Sequence, residues 1–100
     1  MQSLLEYVSG DFLNEGDPEL LKKIRPAFEN LATRLNEQGP DATEEQRLLE
    51  FSKAFDYINQ YEDEIETIER ETVLEAIYYI GEIVGLRRET EFAEEWRGDW

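Results

Sequence analysis

Apolar residues recur at three- and four-residue spacing along most of this chain, and that repeat constrains the fold more than any other feature. A period of 3.6 residues places such positions on one side of an α-helix, whereas half-buried strands alternate with a period of two. The repeat therefore predicts an all-α fold, with the apolar side of each helix turned toward a shared core. Its cleanest stretch contains Val73, Ala76, Ile77, Ile80, Ile83 and Val84.

The first long helix has clear start and stop residues. The Asp17 side chain can accept hydrogen bonds from the free backbone amides at the start of a helix, and Pro18 loses no hydrogen bond at the first helical position. The sequence Gln-Gly-Pro at positions 38–40 ends the helix. Pro26 lies inside it and removes a backbone hydrogen bond, so we expect a kink at that point rather than a break.

The second long helix opens with a capping box, in which Thr43 and Gln46 satisfy each other's free backbone amides. Its apolar stripe continues to Tyr61. The acidic segment 61–64 then predicts a loop, because neighbouring like charges disfavour tight packing.

A third long helix begins at Glu66 or Thr67 and stops at Gly85, which suits the end of a helix. Short helices flank the three long ones, one from Ser3 to Gly10 and one capped by Thr90. Phe12 and Leu13 are expected to fold back onto the core, and so are Trp96 and Trp100, for which anchoring a partner is the alternative. The prediction is one domain over residues 1–100, a small bundle of three long helices.

Charge and missing residue types exclude several classes of function. Twenty-five acidic and ten basic side chains give a formal net charge of -15, which repels nucleic acid and anionic lipid. The chain has neither Cys nor His, so disulfides, ordinary zinc sites and imidazole-dependent catalysis are ruled out. We predict a protein that is not an enzyme, uses no cofactor or metal, and binds neither nucleic acid nor membrane. We also predict a cytoplasmic location, because no signal peptide or apolar span is visible.

One stretch of sequence resembles a known family. The residues are Glu64-Ile65-Glu66-Thr67 leading through Arg70-Glu71 into the third helix, then Gly85, and a tail containing Arg97, Asp99 and Trp100. In these residues the chain resembles a bacterial domain-of-unknown-function family of short, acidic, all-helical proteins. The resemblance implies a helical fold and carries no known activity.

Two groups of side chains are candidates for binding a partner. One is the acidic concentration around the second interhelical segment, and the other is the outward face of the third helix, where Tyr offers rigid contact area among acids. A solvated surface is the alternative interpretation of both groups. The candidate partner-binding residues are Asp56, Tyr57, Glu62, Asp63, Glu64, Glu71, Glu75, Tyr78 and Glu82.

The leading hypothesis for function is a non-catalytic acidic domain that binds a basic protein, as an immunity protein or inhibitor does. A second hypothesis is a homodimeric scaffold whose interface contains Leu49, Tyr57 and Tyr79. A third is a divalent-cation site made of carboxylates, although the acidic run lacks the spacing of an EF-hand loop.

Overall fold

Helices make up the regular structure of the chain. The structure is a computed structural model that describes residues 4–39, 41–86 and 92–95. No strand occurs within these ranges, so the predicted all-α class is confirmed. The α-helices are α1 Leu4–Ser9, α2 Pro18–Gln38, α3 Glu44–Ile58 and α4 Thr67–Ile83, and 3₁₀ helices span Asn59–Glu64 and Phe92–Glu95.

The core lies where the apolar stripes of α2, α3 and α4 meet. Phe28 of α2, Phe51 and Phe55 of α3, and Ile77 of α4 are completely buried. The apolar residues of α2 recur with the 3.6-residue period on its inner side, and all of them are buried: Leu20, Leu21, Ile24, Ala27, Phe28, Leu31, Ala32 and Leu35. Removing this surface from water supplies the main stabilising term at roughly 25 cal/mol per Å².

The predicted start of α2 is confirmed at the level of single atoms. The Asp17 carboxylate accepts a hydrogen bond from the amide of Glu19 at 3.1 Å, and Pro18 occupies the first helical position. Helical backbone continues across Pro26 to Gln38, so the helix is not broken there. The kink at Pro26 stays a prediction.

The capping box of α3 is confirmed, because the amide of Thr43 donates to Gln46 and the amide of Gln46 donates to the Thr43 hydroxyl. The predicted loop over 61–64 is wrong. This segment belongs to the 3₁₀ helix Asn59–Glu64, and α3 itself ends earlier than expected, at Ile58. The acidic charges do not prevent the tighter winding, because Asp63 and Glu64 are exposed to solvent and Glu64 pairs with Lys23.

The two ends of α4 follow the sequence signals. Glu66 is the N-cap residue, and the helix ends at Ile83. Gly85 then adopts a φ of 89°, while the amide of Leu86 donates to the carbonyl oxygen of Gly81 at 2.8 Å, which is a Schellman ending.

Several predictions lie outside the described residues. They concern Ser3 as a cap, Thr90 as a cap, the positions of Trp96 and Trp100, and the tail that carries part of the family resemblance. In the described parts of the chain, no helix combines the length and apolar character needed to cross a membrane.

Candidate functional site

A cleft of about 280 Å³ lies between the α1–α2 connection and α4. One wall comes from the connection and the other from successive turns of α4. We call this feature the acidic cleft, because three of its six lining residues are carboxylates. The lining residues are Phe12, Asn14, Glu15, Glu71, Thr72 and Glu75.

The α-helical spacing of α4 places Glu71 and Glu75 on the same side of the helix, four residues apart. Both side chains are exposed. Thr72 lies between them in sequence and donates from its hydroxyl to the carbonyl oxygen of Glu15 at 2.7 Å. This bond fixes the backbone of the opposite wall against α4, and so sets the width of the cleft.

The aromatic side of the cleft is Phe12, which is held by contacts on several sides. Its ring centroid lies 5.0 Å from that of Tyr7 and 5.4 Å, edge to face, from that of Phe28. The Arg25 guanidinium carbon lies 5.1 Å from the Phe12 centroid, a cation–π distance. Phe12 is therefore a half-buried aromatic surface that packs against three other side chains.

Tyr7 lies beside the cleft and is less acidic than an ordinary tyrosine. Burial, together with the neighbouring Tyr79 and Glu75, raises the pKa of Tyr7 to about 12. The Tyr7 and Tyr79 rings stack with centroids 4.4 Å apart. Both burial and the nearby carboxylate disfavour a phenolate, so this corner of the molecule resists additional negative charge.

The predicted partner-binding residues fall into two sets. On α4, Glu71 and Glu75 line the acidic cleft, Glu82 is exposed nearer the helix end, and Tyr78 is half-buried against the core. The other set lies on α3 and the 3₁₀ helix and does not line the cleft: Asp56, Tyr57, Glu62, Asp63 and Glu64.

The second set is partly engaged within the molecule. The Tyr57 hydroxyl donates to the carbonyl oxygen of Lys23 at 3.3 Å, and Glu64 lies 3.2 Å from the Lys23 ammonium nitrogen. Burial and the neighbouring Tyr61 raise the pKa of Tyr57. Asp56 and Tyr57 also border a groove of about 220 Å³ together with Arg34 and Lys53. The cations beside this groove make its surface less acidic than that of the cleft.

Sequence reasoning missed the wall contributed by the α1–α2 connection. It did predict that Phe12 and Leu13 fold back onto the core, which is confirmed because Leu13 is buried and Phe12 packs against the core cluster. No local pattern, however, brings Glu15 opposite Glu71. That pairing depends on a long-range contact between Glu15 and Thr72.

No three carboxylates among the described residues lie close enough together to hold a metal ion. The acids around the cleft are therefore spread out, and the divalent-cation hypothesis gains no support from this part of the chain. No family model, curated protein or solved structure matches this chain.

Proposed function

We propose that this chain is a non-catalytic binding domain that receives a basic side chain of a protein partner in the acidic cleft. The observation that carries the proposal is the placement of Glu15, Glu71 and Glu75 around one cleft beside the ring of Phe12. Carboxylates accept hydrogen bonds from Lys or Arg, and an aromatic ring adds contact with the aliphatic stem or the cation itself.

The size of the cleft also favours a single side chain over a small-molecule substrate. Its volume of about 280 Å³ lies just below the range of roughly 300–1,000 Å³ that is typical of small-molecule pockets. A cation is recognised here by several separated carboxylates, whereas a metal ion needs its ligands gathered about one point.

The net charge of the chain also favours a basic protein as the partner. A net charge of -15 attracts a basic protein over distances of about a Debye length and accelerates its association. We propose that the cleft then sets the orientation of the complex, since like-charged or poorly fitting partners lose affinity there. An immunity or inhibitor protein acting on a basic target works in this way.

The location of the protein, its family and the shape of α2 are part of the same proposal. We propose a cytoplasmic protein related to the short, acidic, helical bacterial family that its sequence resembles. Its scaffold is a bundle of three long helices, in which α2 bends at Pro26 to follow the core.

A titration with pentaarginine amide, followed by nuclear magnetic resonance, tests the binding proposal. The expected result is a set of shifts concentrated at the amides of Glu15, Glu71, Thr72 and Glu75, with binding that weakens as salt is added. Pentaglutamate is the matched negative control. Shifts spread evenly over all acidic segments, or affinity that is independent of salt, would contradict the proposal.

A homodimeric scaffold is the second candidate, and the observation that favours it is Leu49, whose side chain is 56% exposed on α3. Tyr79 is a weaker contributor, because one face of its ring already stacks on Tyr7. Sedimentation of the wild type and of Leu49→Gln decides between the candidates. A wild-type dimer that the substitution dissociates supports the scaffold, and a monomer at all concentrations removes it.

A further inference from the structure

One buried carboxylate connects the amino-terminal ends of two helices. Glu69 is only 5% exposed, and both of its carboxylate oxygens accept hydrogen bonds from backbone amides. Oε1 accepts from the amide of Glu66 at 3.0 Å, and Oε2 accepts from the amide of Asp17 at 2.9 Å. Glu66 and Asp17 are the N-cap residues of α4 and α2.

In a capping box, the third residue of a helix reaches back to the amide of the N-cap residue. Glu69 holds that position in α4. The corresponding position in α2 is Leu20, which is buried and has no acceptor in its side chain. Asp17 caps α2 with its own side chain, and Glu69 supplies the reciprocal half of a capping box that Leu20 cannot provide, across 52 residues of sequence. The charge of Glu69 suits the positive ends of both helices.

The chain beside this cap is shaped to receive the carboxylate. Gly16 has a φ of 123°, and a Cβ atom added there would clash with Glu69 Oε2. Only glycine combines that backbone conformation with so close an approach. One turn farther along α4, the Thr72 hydroxyl holds the carbonyl oxygen of Glu15 at 2.7 Å. Two consecutive turns of α4 therefore hold residues 15–17 by hydrogen bonds, and we call this pair of bonds the grip.

The gripped segment is the wall of the acidic cleft that faces α4. Glu15 belongs to the α1–α2 connection, and the backbone of this connection is tied to α4 by the hydrogen bonds of Thr72 and Glu69. We infer that Glu69 is the positioning residue of the acidic cleft, holding Glu15 and Phe12 opposite α4 so that a basic side chain meets a preformed site. This inference rests on the function proposed above.

The test combines amide hydrogen exchange with the affinity for pentaarginine amide. Glu69→Gln replaces one accepting oxygen with a donor, so one backbone amide loses its partner. We expect exchange at Asp17 or Glu66 to accelerate by about tenfold or more, and affinity to fall by a similar factor. Exchange in the core of α2 and α3 should change much less. The matched control is Glu44→Gln, which removes an exposed carboxylate from the first turn of α3.

Thr72→Val is a milder second variant that keeps the side-chain shape and removes only the bond to Glu15. It should weaken pentaarginine binding while leaving the amide of Asp17 protected from hydrogen exchange. It replaces Glu69→Gln in the test if that variant does not fold. Unchanged exchange at both Asp17 and Glu66 in Glu69→Gln would overturn the grip itself. Accelerated exchange with wild-type affinity in Glu69→Gln, or wild-type affinity in Thr72→Val, would overturn the positioning role.

Failure of the proposed function has a different signature. In that case the wild type shows no localised shifts with pentaarginine, which removes the positioning role as well. The exchange measurements need no ligand, so they still report whether Glu69 joins the two helices.

Discussion

Arg25 closes the carboxyl end of α1 by donating from Nη2 to the carbonyl oxygen of Val8, at 2.6 Å. The same nitrogen lies 2.8 Å from the carbonyl oxygen of Gly10. Helix α1 has six residues, too few to be stable in isolation, so its order depends on contacts of this kind with α2. Arg25 also covers one face of Phe12, and it thereby links α1 to the acidic cleft.

Replacing Arg25 with Met should detach α1 from α2. The free energy of unfolding is expected to fall by about 1–3 kcal/mol, because the carbonyl groups of Val8 and Gly10 lose a charged donor. Urea denaturation of the variant measures this loss. Lys22→Met is the control, since Lys22 is an exposed cation on the same helix, and it should change stability by less than about 0.5 kcal/mol. Equal effects of the two substitutions would refute the link.

Much of the fold could be predicted because its signals are local. Asp17 with Pro18, Thr43 with Gln46, and Gly85 each act within one turn of the chain, and each is confirmed. The inward stripe of α2 follows from helical periodicity alone. The error at 61–64 arose because charge repulsion was weighed without the solvent exposure that weakens it.

The candidate site was only half predictable. Glu71 and Glu75 were named because they share a helix face, which is a property of spacing. Glu15 joins them because its carbonyl oxygen accepts a hydrogen bond from Thr72 and the nearby amide of Asp17 donates to Glu69, both more than fifty residues away in sequence. Glu69 lies in the first turn of α4, where a carboxylate is favourable, but no local pattern shows that it also accepts from the N-cap amide of α2.

Tyr7 provides a spectroscopic measure of the electrostatics near the cleft. Its pKa is raised from 10.0 to about 12 by burial, by Tyr79 and by Glu75. The unfolded chain therefore loses this proton at lower pH than the folded chain, and stability should decrease as pH rises from about 10 to about 12. Below pH 10 this group should leave stability unchanged with pH.

Absorbance of tyrosinate during an alkaline titration checks the shift. Tyr7→Phe should remove a titration step near pH 12 and flatten the loss of stability in that window. Glu75→Gln should lower the pKa of Tyr7, whereas Glu44→Gln, far along the sequence on α3, should not. A Tyr7 that titrates near 10 in the wild type would contradict this description of the cleft.

Glu50 is a second buried carboxylate. Its substitution should not destabilise the protein, whereas the substitution of Glu69 should free a buried backbone amide. It is 7% exposed on α3, lies 2.8 Å from the Lys53 ammonium nitrogen, and has one oxygen without a hydrogen bond. The nearest Arg34 nitrogen is 3.9 Å from that oxygen, too far for a hydrogen bond. Glu50→Met should therefore be neutral, or stabilising by about 1 kcal/mol or more, because a poorly compensated buried charge is removed.

Lys53→Met provides the contrast, since it leaves the Glu50 carboxylate buried with only the distant Arg34. A loss of about 1–2 kcal/mol is expected. Thermal unfolding of both variants distinguishes the two effects. If Glu50→Met proved the more destabilising of the two, Glu50 would be a well-compensated ion pair instead.

The binding of pentaarginine amide to two double variants, measured by calorimetry, tests the central claim most directly. Glu71→Gln with Glu75→Gln removes two of the three carboxylates of the acidic cleft, and Glu44→Gln with Glu45→Gln removes the same charge from the exposed first turn of α3. The cleft variant is expected to bind about tenfold more weakly than the wild type, and the control variant to stay close to it. Equal weakening by both variants would show that overall charge, and not the cleft, attracts the cation.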